Sequence, residues 1–441
     1  MPMKVAVLFS GGKDSTFSAY EVKRKGYDLR YLITMVPENP ESYMFHHPDT
    51  HLAEMLAKSM GIPIVVQHTK GRKEEELEDL RKAIMRVRSD VDGIVAGGLA
   101  SKYQLDRIVR VVQGVRLKAI TPIWGVDIRK YWRILRASGF KVMIVGVACE
   151  GLGREWLGRV MDEQAVAELE KLSEKYGFNL GGEGGEFETL VLDAPLFRQE
   201  LVVLGGKKTW EEDSGVYHIT EAVLISKKQL ASLRSAYAKR KPEIRRRLDD
   251  FRKVWKGSEK AVFAELSFCL CTPQSKAVNC NEAINRLAVS GHLHDAKADA
   301  RALSSRMKGV RFHNNKARWI AGARKLFTGP DGSLRIKERI NPSDIMATRE
   351  WLVANVKGLG YKEASHFLRN IGFGQDVAIL DRHILKNLNM LGLISELPDS
   401  LSPAAYKSME ERMRKFSRGI GIPLEELDLV FWSGETGHVF K

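Results

Sequence analysis

The sequence is poor in cysteine and proline and contains no long apolar run. It has 4 cysteines and 14 prolines in 441 residues. So few and so unevenly spaced cysteines exclude a disulfide framework and zinc-finger spacing, which predicts reduced, buried thiols. No run approaches the roughly 18 apolar residues of a membrane helix and no signal peptide opens the chain, so we expect a soluble cytoplasmic protein without a membrane partner. The apolar share of 44% excludes wholesale disorder.

Excess positive charge is missing from the first half and concentrated in the second. Residues 1–226 contain 31 Lys and Arg against 32 Asp and Glu, a net charge of −1. Subtraction from the totals of 70 and 55 leaves 39 against 23 for residues 227–441, a net charge of +16. Such asymmetry indicates a polyanionic partner, nucleic acid above all, for the second half. A solvated basic surface explains the charge alone equally well.

Hydrophobic periodicity divides the chain near Ser226 into domains of residues 1–226 and 227–441. The first alternates apolar runs with amphipathic stretches, which predicts an α/β domain with a mostly parallel sheet covered by helices. Its predicted strands are 4–9, 29–35, 64–68, 93–96 and 141–147, and its predicted helices are 15–25, 51–59, 73–88 and 162–176. The second domain is predicted to be all-α, with a basic segment at 227–257 and helices at 261–270, 314–327, 343–356 and 361–371.

A glycine-rich turn joins the first predicted strand to the first predicted helix. Two glycines let backbone N–H groups approach an anion, and the helix N-terminus favours negative charge, so this turn predicts a phosphate site. The motif resembles the pyrophosphate loop of the N-type ATP pyrophosphatases, of the HUP type of fold. The resemblance implies ATP as cosubstrate and Asp14 as the partner of Mg²⁺. The candidate ATP-binding residues are Ser10, Gly11, Gly12, Lys13, Asp14 and Ser15.

A second glycine-rich segment, residues 181–190, carries the carboxylates of Glu183, Glu186 and Glu188. They are candidates for holding a metal or a cationic substrate, and a solvated acidic turn is the ordinary alternative. With the segments 97–104 and 122–125, this loop resembles the diphthine–ammonia ligase family. The resemblance implies ATP-dependent amidation of the diphthine carboxylate of elongation factor 2, with ammonium as the nitrogen source. Two alternatives stay open: another acceptor such as tRNA, or a nucleotide-binding regulator.

The second half contains the pattern of a helix-hairpin-helix. Gly358 and Gly360 flank a tight turn whose N–H groups can bind DNA phosphates without reading sequence. Lys362 follows the turn and Asp381 lies 19 residues further on. A neutral lysine amine can attack C1′ of a nucleotide, and a carboxylate can stabilise the developing positive charge. A solvated lysine and a helix-capping aspartate are the ordinary alternatives.

This half resembles the helix-hairpin-helix DNA glycosylases with lyase activity, most closely the archaeal 8-oxoguanine type. The resemblance implies double-stranded DNA containing 8-oxoguanine as partner and no cofactor. It implies Lys362 and Asp381 as catalytic residues and Gln274 as the wedge that fills the gap in the duplex. It also implies that Lys441 and Trp432 recognise the base. A DNA-binding module without lyase activity is the alternative. Further candidates for phosphate contacts, of which only some are expected to bind, are Arg311, His313, Asn314, Lys316, Arg318, Arg324, Lys325 and the stretch 239–252.

Overall fold

The protein is described by a computed structural model that covers residues 1–38, 52–72, 75–98 and 102–440. The chain forms two compact units, Met1–Lys227 and Lys228–Lys441, called here the amino-terminal and carboxy-terminal units. Within the described residues, no helix is long and apolar enough to cross a membrane. Lys441, predicted to read the base, and the predicted helix starts at 51 and 73 lie outside the described residues.

A five-stranded parallel sheet organises the amino-terminal unit and confirms the predicted α/β class. Its strand order is β3-β2-β1-β4-β5, and every neighbouring pair is parallel. The order reverses direction between β1 and β4, which opens a crevice at their carboxyl ends. The strands are β1 (Lys4–Leu8), β2 (Asp28–Pro37), β3 (Ile64–Thr69), β4 (Gly93–Val95) and β5 (Lys118–Ile120).

Helices cover both faces of this sheet because successive strand residues point to opposite sides. Val5 and Val7 of β1 belong to one buried cluster, whereas Ala6 belongs to another that packs against α3 and α4. The helices of this unit are α1 (Lys13–Arg24), α2 (Ala53–Met60), α3 (Glu75–Met85), α4 (Lys102–Gly114), α5 (Ile128–Ala137) and α6 (Glu163–Tyr176).

The unit contains a second, antiparallel sheet that the sequence pattern did not predict. The strand expected at 141–147 is β6 (Lys141–Ala148), and it belongs to this sheet, whose order is β7-β6-β9-β8. Its other strands are β7 (Phe187–Asp193), β8 (Gln199–Glu211) and β9 (Ser214–Ser226). Periodicity identifies a strand but not its partner, and β6 meets β7 only after the intervening helix α6.

The carboxy-terminal unit is helical, as predicted, around one buried core that includes Phe263, Phe268 and Phe367. Polar caps fix several helix starts: the side chains of Ser258, Asp344 and Ser402 each accept a hydrogen bond from a backbone N–H of the first turn. The helices are α7 (Lys227–Lys256), α8 (Glu259–Cys271), α9 (Ala277–Val289), α10 (Ala300–Ser304), α11 (His313–Phe327), α12 (Ile345–Asn355), α13 (Tyr361–Asn370), α14 (Arg382–Met390), α15 (Pro403–Ile420) and α16 (Leu424–Thr436).

Candidate functional sites

The predicted phosphate loop lies where the order of the parallel sheet reverses. It connects β1 to α1, and Gly11 adopts the left-handed backbone conformation, with φ +86°, in which glycine is favoured. Gly97 follows β4 and packs against the start of α1, because a Cβ on Gly97 would lie 2.8 Å from the carbonyl of Asp14. Ligands of open α/β sheets bind in this crevice.

Two serines hold the phosphate loop in shape from its two ends. The Oγ atoms of Ser10 and Ser15 lie 3.2 Å apart, and the N–H of Ser10 donates to Ser15 Oγ. Ser15 Oγ in turn donates to the carbonyl of Gly12 at 3.2 Å, and the N–H of Gly12 donates to Ser10 Oγ at 3.3 Å. These bonds fix the turn before any ligand arrives, so that less ordering is required when an anion binds.

Lys13 joins the phosphate loop to the glycine-rich segment 181–190, called here the acidic loop, although 168 residues separate Lys13 from Gly181. The lysine is 3% exposed, and its Nζ donates to the carbonyl of Gly181 at 2.6 Å and to Asp14 Oδ2 at 2.8 Å. Its backbone N–H donates to Thr189 Oγ1 at 3.1 Å. The ammonium group therefore aligns the two loops with each other, a role that sequence reasoning did not assign to it.

One carboxylate oxygen of Asp14 is not used by Lys13. Its Oδ1 is buried and has no hydrogen-bond partner among the described residues. Mg²⁺ is usually held by one or two carboxylates together with phosphate oxygens and water, so Asp14 fits such an ion. Within the described part of the chain, no group of three or more His, Cys, Asp or Glu side chains forms a complete metal cage.

Tyr131, on α5, was not predicted as a site residue. It is fully buried, and burial raises the pKa of its phenol, with further raising by the carboxylates of Asp14 and Glu183. Its neutral hydroxyl thus lies next to the carboxylate of Asp14. Nothing in the sequence marks it, since it looks like any apolar position of an amphipathic helix.

The three glutamates of the acidic loop have different surroundings. Glu186 shapes the loop: its carboxylate accepts hydrogen bonds from the N–H groups of Asn179 at 3.2 Å and Gly184 at 2.8 Å. Glu188 lies in β7, where a Cβ on Gly146 would lie 3.0 Å from it. Glu183 precedes β7 and is close enough to influence Tyr131. Of the three glutamates, Glu183 is the one whose charge contributes to raising the pKa of Tyr131.

The predicted hairpin of the carboxy-terminal unit joins α12 to α13. Gly358 has φ +91°, and a Cβ there would lie 2.4 Å from the ring of Trp319, so no other residue fits. Gly360 has an extended backbone and precedes the first turn of α13. Leu359, between the glycines, is 4% exposed and anchors the turn in the core. The backbone of the turn is thereby held at the start of the helix that carries Lys362.

A cavity of about 430 Å³ brings together three predicted site residues: Lys362, Asp381 and Trp432. The Nζ of Lys362 pairs with Glu363 Oε1 at 3.0 Å, and its side chain is 30% exposed. Asp381 caps α14, because its Oδ1 accepts the N–H of Ile384 at 2.9 Å. Other lining residues include Thr272, Ser275, His366, Arg369, His383, Asp428, Thr436, His438 and Phe440.

A buried ion pair supports both walls of this cavity. Arg349 and Glu410, each 2% exposed, form two hydrogen bonds of 2.5 and 2.8 Å. Arg349 also donates to Ser365 of α13 at 3.0 Å, and Glu410 accepts the N–H of Ala378 at 2.8 Å. The pair therefore connects the helix of Lys362 with the segment that ends at Asp381.

Asp428 lines the same cavity and was not predicted as a site residue. It is 2% exposed, and its Oδ2 accepts a 2.5 Å hydrogen bond from Arg369. Burial raises its pKa to about 6; Arg369 opposes this effect and Asp381 adds to it. Sequence reasoning could not separate it from the neighbouring acidic residues Glu425 and Glu426.

Gln274 lies outside the lining of the cavity, on the loop between α8 and α9. It is exposed and has φ +54°, which is uncommon for a residue with a side chain. Lys316 fixes this loop by hydrogen bonds: its Nζ donates to the carbonyls of Cys271 and Pro273 at 2.7 and 2.6 Å. The loop is therefore fixed, and the side chain of Gln274 on it is exposed.

Two of the predicted phosphate contacts are wrong. Lys316 is 1% exposed, and burial lowers its pKa. Arg324 is 4% exposed and donates to the carbonyls of His292 and Ala298. Both cations face inward and donate to backbone carbonyls, whereas Arg318 and Lys325 on the same helix are exposed. Hydrophobic periodicity did not distinguish these two pairs of residues.

Comparison with known proteins assigns each unit. Residues 3–119 and 127–225 match the models of the diphthamide synthase N-terminal and C-terminal domains, and residues 244–422 match that of 8-oxoguanine DNA glycosylase. The 8-oxoguanine DNA glycosylase/AP lyase of Fusobacterium nucleatum is 43% identical over 207 residues, which cover 46% of this chain and 94% of that protein. The human diphthine–ammonia ligase is 32% identical over 222 residues, 46% of this chain and 83% of the relative.

The chain belongs to both families. The resemblances and the prediction of an enzyme are therefore confirmed. Among solved structures, the 8-oxoguanine DNA glycosylase of Thermotoga maritima is 34% identical with a TM-score of 0.42, covering 48% of this chain and 99% of that one. The ligase-like and glycosylase-like parts thus stand in one polypeptide, in that order.

Proposed function

We propose that the glycosylase-like unit excises 8-oxoguanine from double-stranded DNA and then cleaves the abasic strand. The observation that carries the proposal is the cavity that Lys362 and Asp381 share. Its volume of about 430 Å³ is sufficient for an extruded purine. The net charge of +16 on residues 227–441 supports binding to a phosphate backbone.

In the proposed reaction, the neutral amine of Lys362 attacks C1′ while the glycosidic bond breaks and the base leaves with the bonding electrons. Loss of a proton from nitrogen and opening of the sugar give a Schiff base. Removal of a C2′ proton then expels the 3′ phosphate by β-elimination, and water releases the lysine. Asp381 stabilises the positive charge that develops on the sugar and accepts the proton from the amine. The hairpin N–H groups around Gly358 and Gly360 bind phosphate, and Gln274 fills the gap left by the base.

Borohydride trapping on duplex DNA with one 8-oxoguanine tests this function. The intact chain should form a covalent adduct that Lys362→Gln abolishes. Lys253→Gln is the matched control, since Lys253 is exposed on α7 and pairs with the surface residue Asp250; it should leave the adduct unchanged. Removal of Lys441 should selectively impair processing of 8-oxoguanine. Absence of an adduct on this DNA and on an abasic site would leave only a DNA-binding module.

We further propose that the ligase-like unit uses ATP to amidate the diphthine carboxylate of elongation factor 2. The contact between Lys13 and Gly181 supports this assignment, because it brings the phosphate loop and the acidic loop to one crevice. A carboxylate oxygen would attack the α-phosphorus of ATP and expel pyrophosphate, and ammonia would then attack the carbonyl carbon and expel AMP. Mg²⁺ would neutralise phosphate charge there.

The residues of the unit have distinct parts in this reaction. The N–H group of Gly11 and the N-terminus of α1 attract phosphate. Asp14 would offer a carboxylate oxygen to Mg²⁺, and Glu183 of the acidic loop suits a cationic group such as ammonium or the acceptor's quaternary amine. Glu186 acts through the backbone that it holds.

Pyrophosphate release tests this reaction in the presence of ATP, ammonium and the diphthine form of the factor. Asp14→Asn should abolish release, whereas Glu163→Gln, on the exposed surface of α6, should not affect it. Release that is independent of the factor but requires tRNA would identify another acceptor. No release with any acceptor would favour a nucleotide-binding regulator.

A further inference from the structure

One helix of the ligase-like unit is far more basic than the rest of that unit. α5 carries four cations, Arg129, Lys130, Arg133 and Arg136, and no acidic residue among its 10 positions. Residues 1–226 as a whole have a net charge of −1. Two of the four cations stand in the first turn, where the positive end of the helix dipole disfavours them. The stability of α5 therefore does not explain its charge.

Part of this charge is paired within the unit. Arg129 and Arg136 each form an ion pair with a glutamate of α6, at 2.6 and 3.2 Å. Lys130 and Arg133 are exposed, and they lie on one face of the helix because they are three positions apart. These two cations point away from the core and are accessible to a partner.

Two large apolar side chains are exposed at the same helix. Trp124, in the turn that precedes α5, is 39% exposed, and Ile134, four positions after Lys130, is 40% exposed. Tryptophan and arginine are enriched among the residues that contribute most to protein–protein binding. We call Trp124, Lys130, Arg133 and Ile134 the rim surface.

The buried side of α5 forms a wall of the crevice that contains the phosphate loop. Tyr131 lies next to the carboxylate of Asp14. Trp132, the next residue, donates from its indole Nε1 to the carbonyl of Leu180 at 2.9 Å, directly before the acidic loop. The rim surface is thus the outer side of a helix about 10 Å across whose inner side faces the crevice. An acceptor protein that places its carboxylate in the crevice comes to lie against this helix.

We propose that the rim surface is the docking site of the acceptor protein and binds an acidic patch beside the side chain that is amidated. The inference rests on the proposed ligase function and goes beyond it, since that function names the reacting group but not the surface that selects the acceptor. A nucleic acid fits less well. Its backbone is bound by extended basic surfaces, whereas residues 1–226 have a net charge of −1 and the rim surface combines two cations with two apolar side chains.

Isothermal titration calorimetry of the full chain with the diphthine form of elongation factor 2 tests the docking site. For the double variant Lys130→Glu and Arg133→Glu, we expect the Kd for the factor to rise roughly 10-fold at about 0.05 M salt and less at about 0.5 M salt, because ions screen exposed charges. Trp124→Ala should raise this Kd by about the same factor at both salt concentrations. The Kd for ATP should not change, and the double variant should fold, since acidic residues are favoured near a helix N-terminus.

The matched control is the double variant Lys4→Glu and Lys118→Glu. Both lysines are exposed and stand at the first residues of β1 and β5, at the sheet edge opposite the crevice, so the Kd for the factor should not change. An equal rise in both double variants, an unchanged Kd in the rim variants, a parallel loss of ATP binding, or binding of tRNA instead of the factor overturns the proposal. Failure of the ligase function itself is seen separately, as absence of pyrophosphate release by a chain that binds the factor.

Discussion

Removing the carboxylate of Glu410 should destabilise the carboxy-terminal unit severely. In Glu410→Ala, the guanidinium of Arg349 stays 2% exposed and loses its two bonds of 2.5 and 2.8 Å, and the N–H of Ala378 loses its acceptor. Breaking a buried ion pair by removing one partner costs about 3–5 kcal/mol. For a unit of this size, 1 kcal/mol corresponds to about 2–4 °C, so we expect Tm to fall by roughly 6–20 °C.

Differential scanning calorimetry of the full chain measures this change, and borohydride trapping after heating shows which transition belongs to the glycosylase unit. Glu411→Ala is the matched control, because Glu411 is the next residue of α15 but its side chain is 45% exposed, and its partner is Arg414. It should cost no more than about 1 kcal/mol. A double change of Arg349 and Glu410 to methionine should recover most of the loss. Equal Tm values for Glu410→Ala and Glu411→Ala would refute the reasoning.

Three further predictions concern the hairpin, the cavity and the DNA contact. Gly358→Ala should lower Tm and weaken DNA binding, since its Cβ would overlap the ring of Trp319. Gly360→Ala, at the N-cap of α13, should cost only about 0.5–1 kcal/mol by thermal unfolding. The pKa of Asp428 is raised to about 6 in the folded protein, so its ionisation destabilises the fold as pH rises through about 4 to 6. The unfolding free energy of Asp428→Asn, relative to that of the unchanged chain, should therefore increase by roughly 2–3 kcal/mol from pH 4 to pH 7. A difference between the two chains that does not depend on pH would contradict this prediction. Lys357→Gln should reduce the slope of log Kd against log salt by about 0.9, and an unchanged slope would show that this exposed lysine makes no phosphate contact.

Local patterns in the sequence were sufficient for much of the fold. The strands at 4–9, 64–68 and 93–96 and the helices at 314–327 and 361–371 correspond within one or two residues to β1, β3, β4, α11 and α13. Such elements depend on periodicity and on caps that lie within a few residues, which a single sequence displays. The glycine turns were recognisable for the same reason.

The sequence could not assign partners over long separations. The strand at 141–147 was recognised, but its antiparallel pairing with β7 was not, and the bond from Lys13 to Gly181 spans 168 residues. Nor did amphipathic spacing show that Lys316 faces inward while Arg318 does not. Long-range packing, rather than local pattern, decides which charged residue of a helix is buried.

By itself, the sequence determined that this protein has an α/β unit followed by a basic helical unit, and it indicated the phosphate loop, the hairpin and the spacing from Lys362 to Asp381. Only the tertiary structure decided that Lys362, Asp381 and Trp432 share one cavity, that Tyr131 faces Asp14, and that Asp428 lines the same cavity as Lys362. The reason is physical: local pattern follows from backbone geometry within a few turns, whereas a site is made where distant segments pack and their polar groups are either paired or left for a ligand.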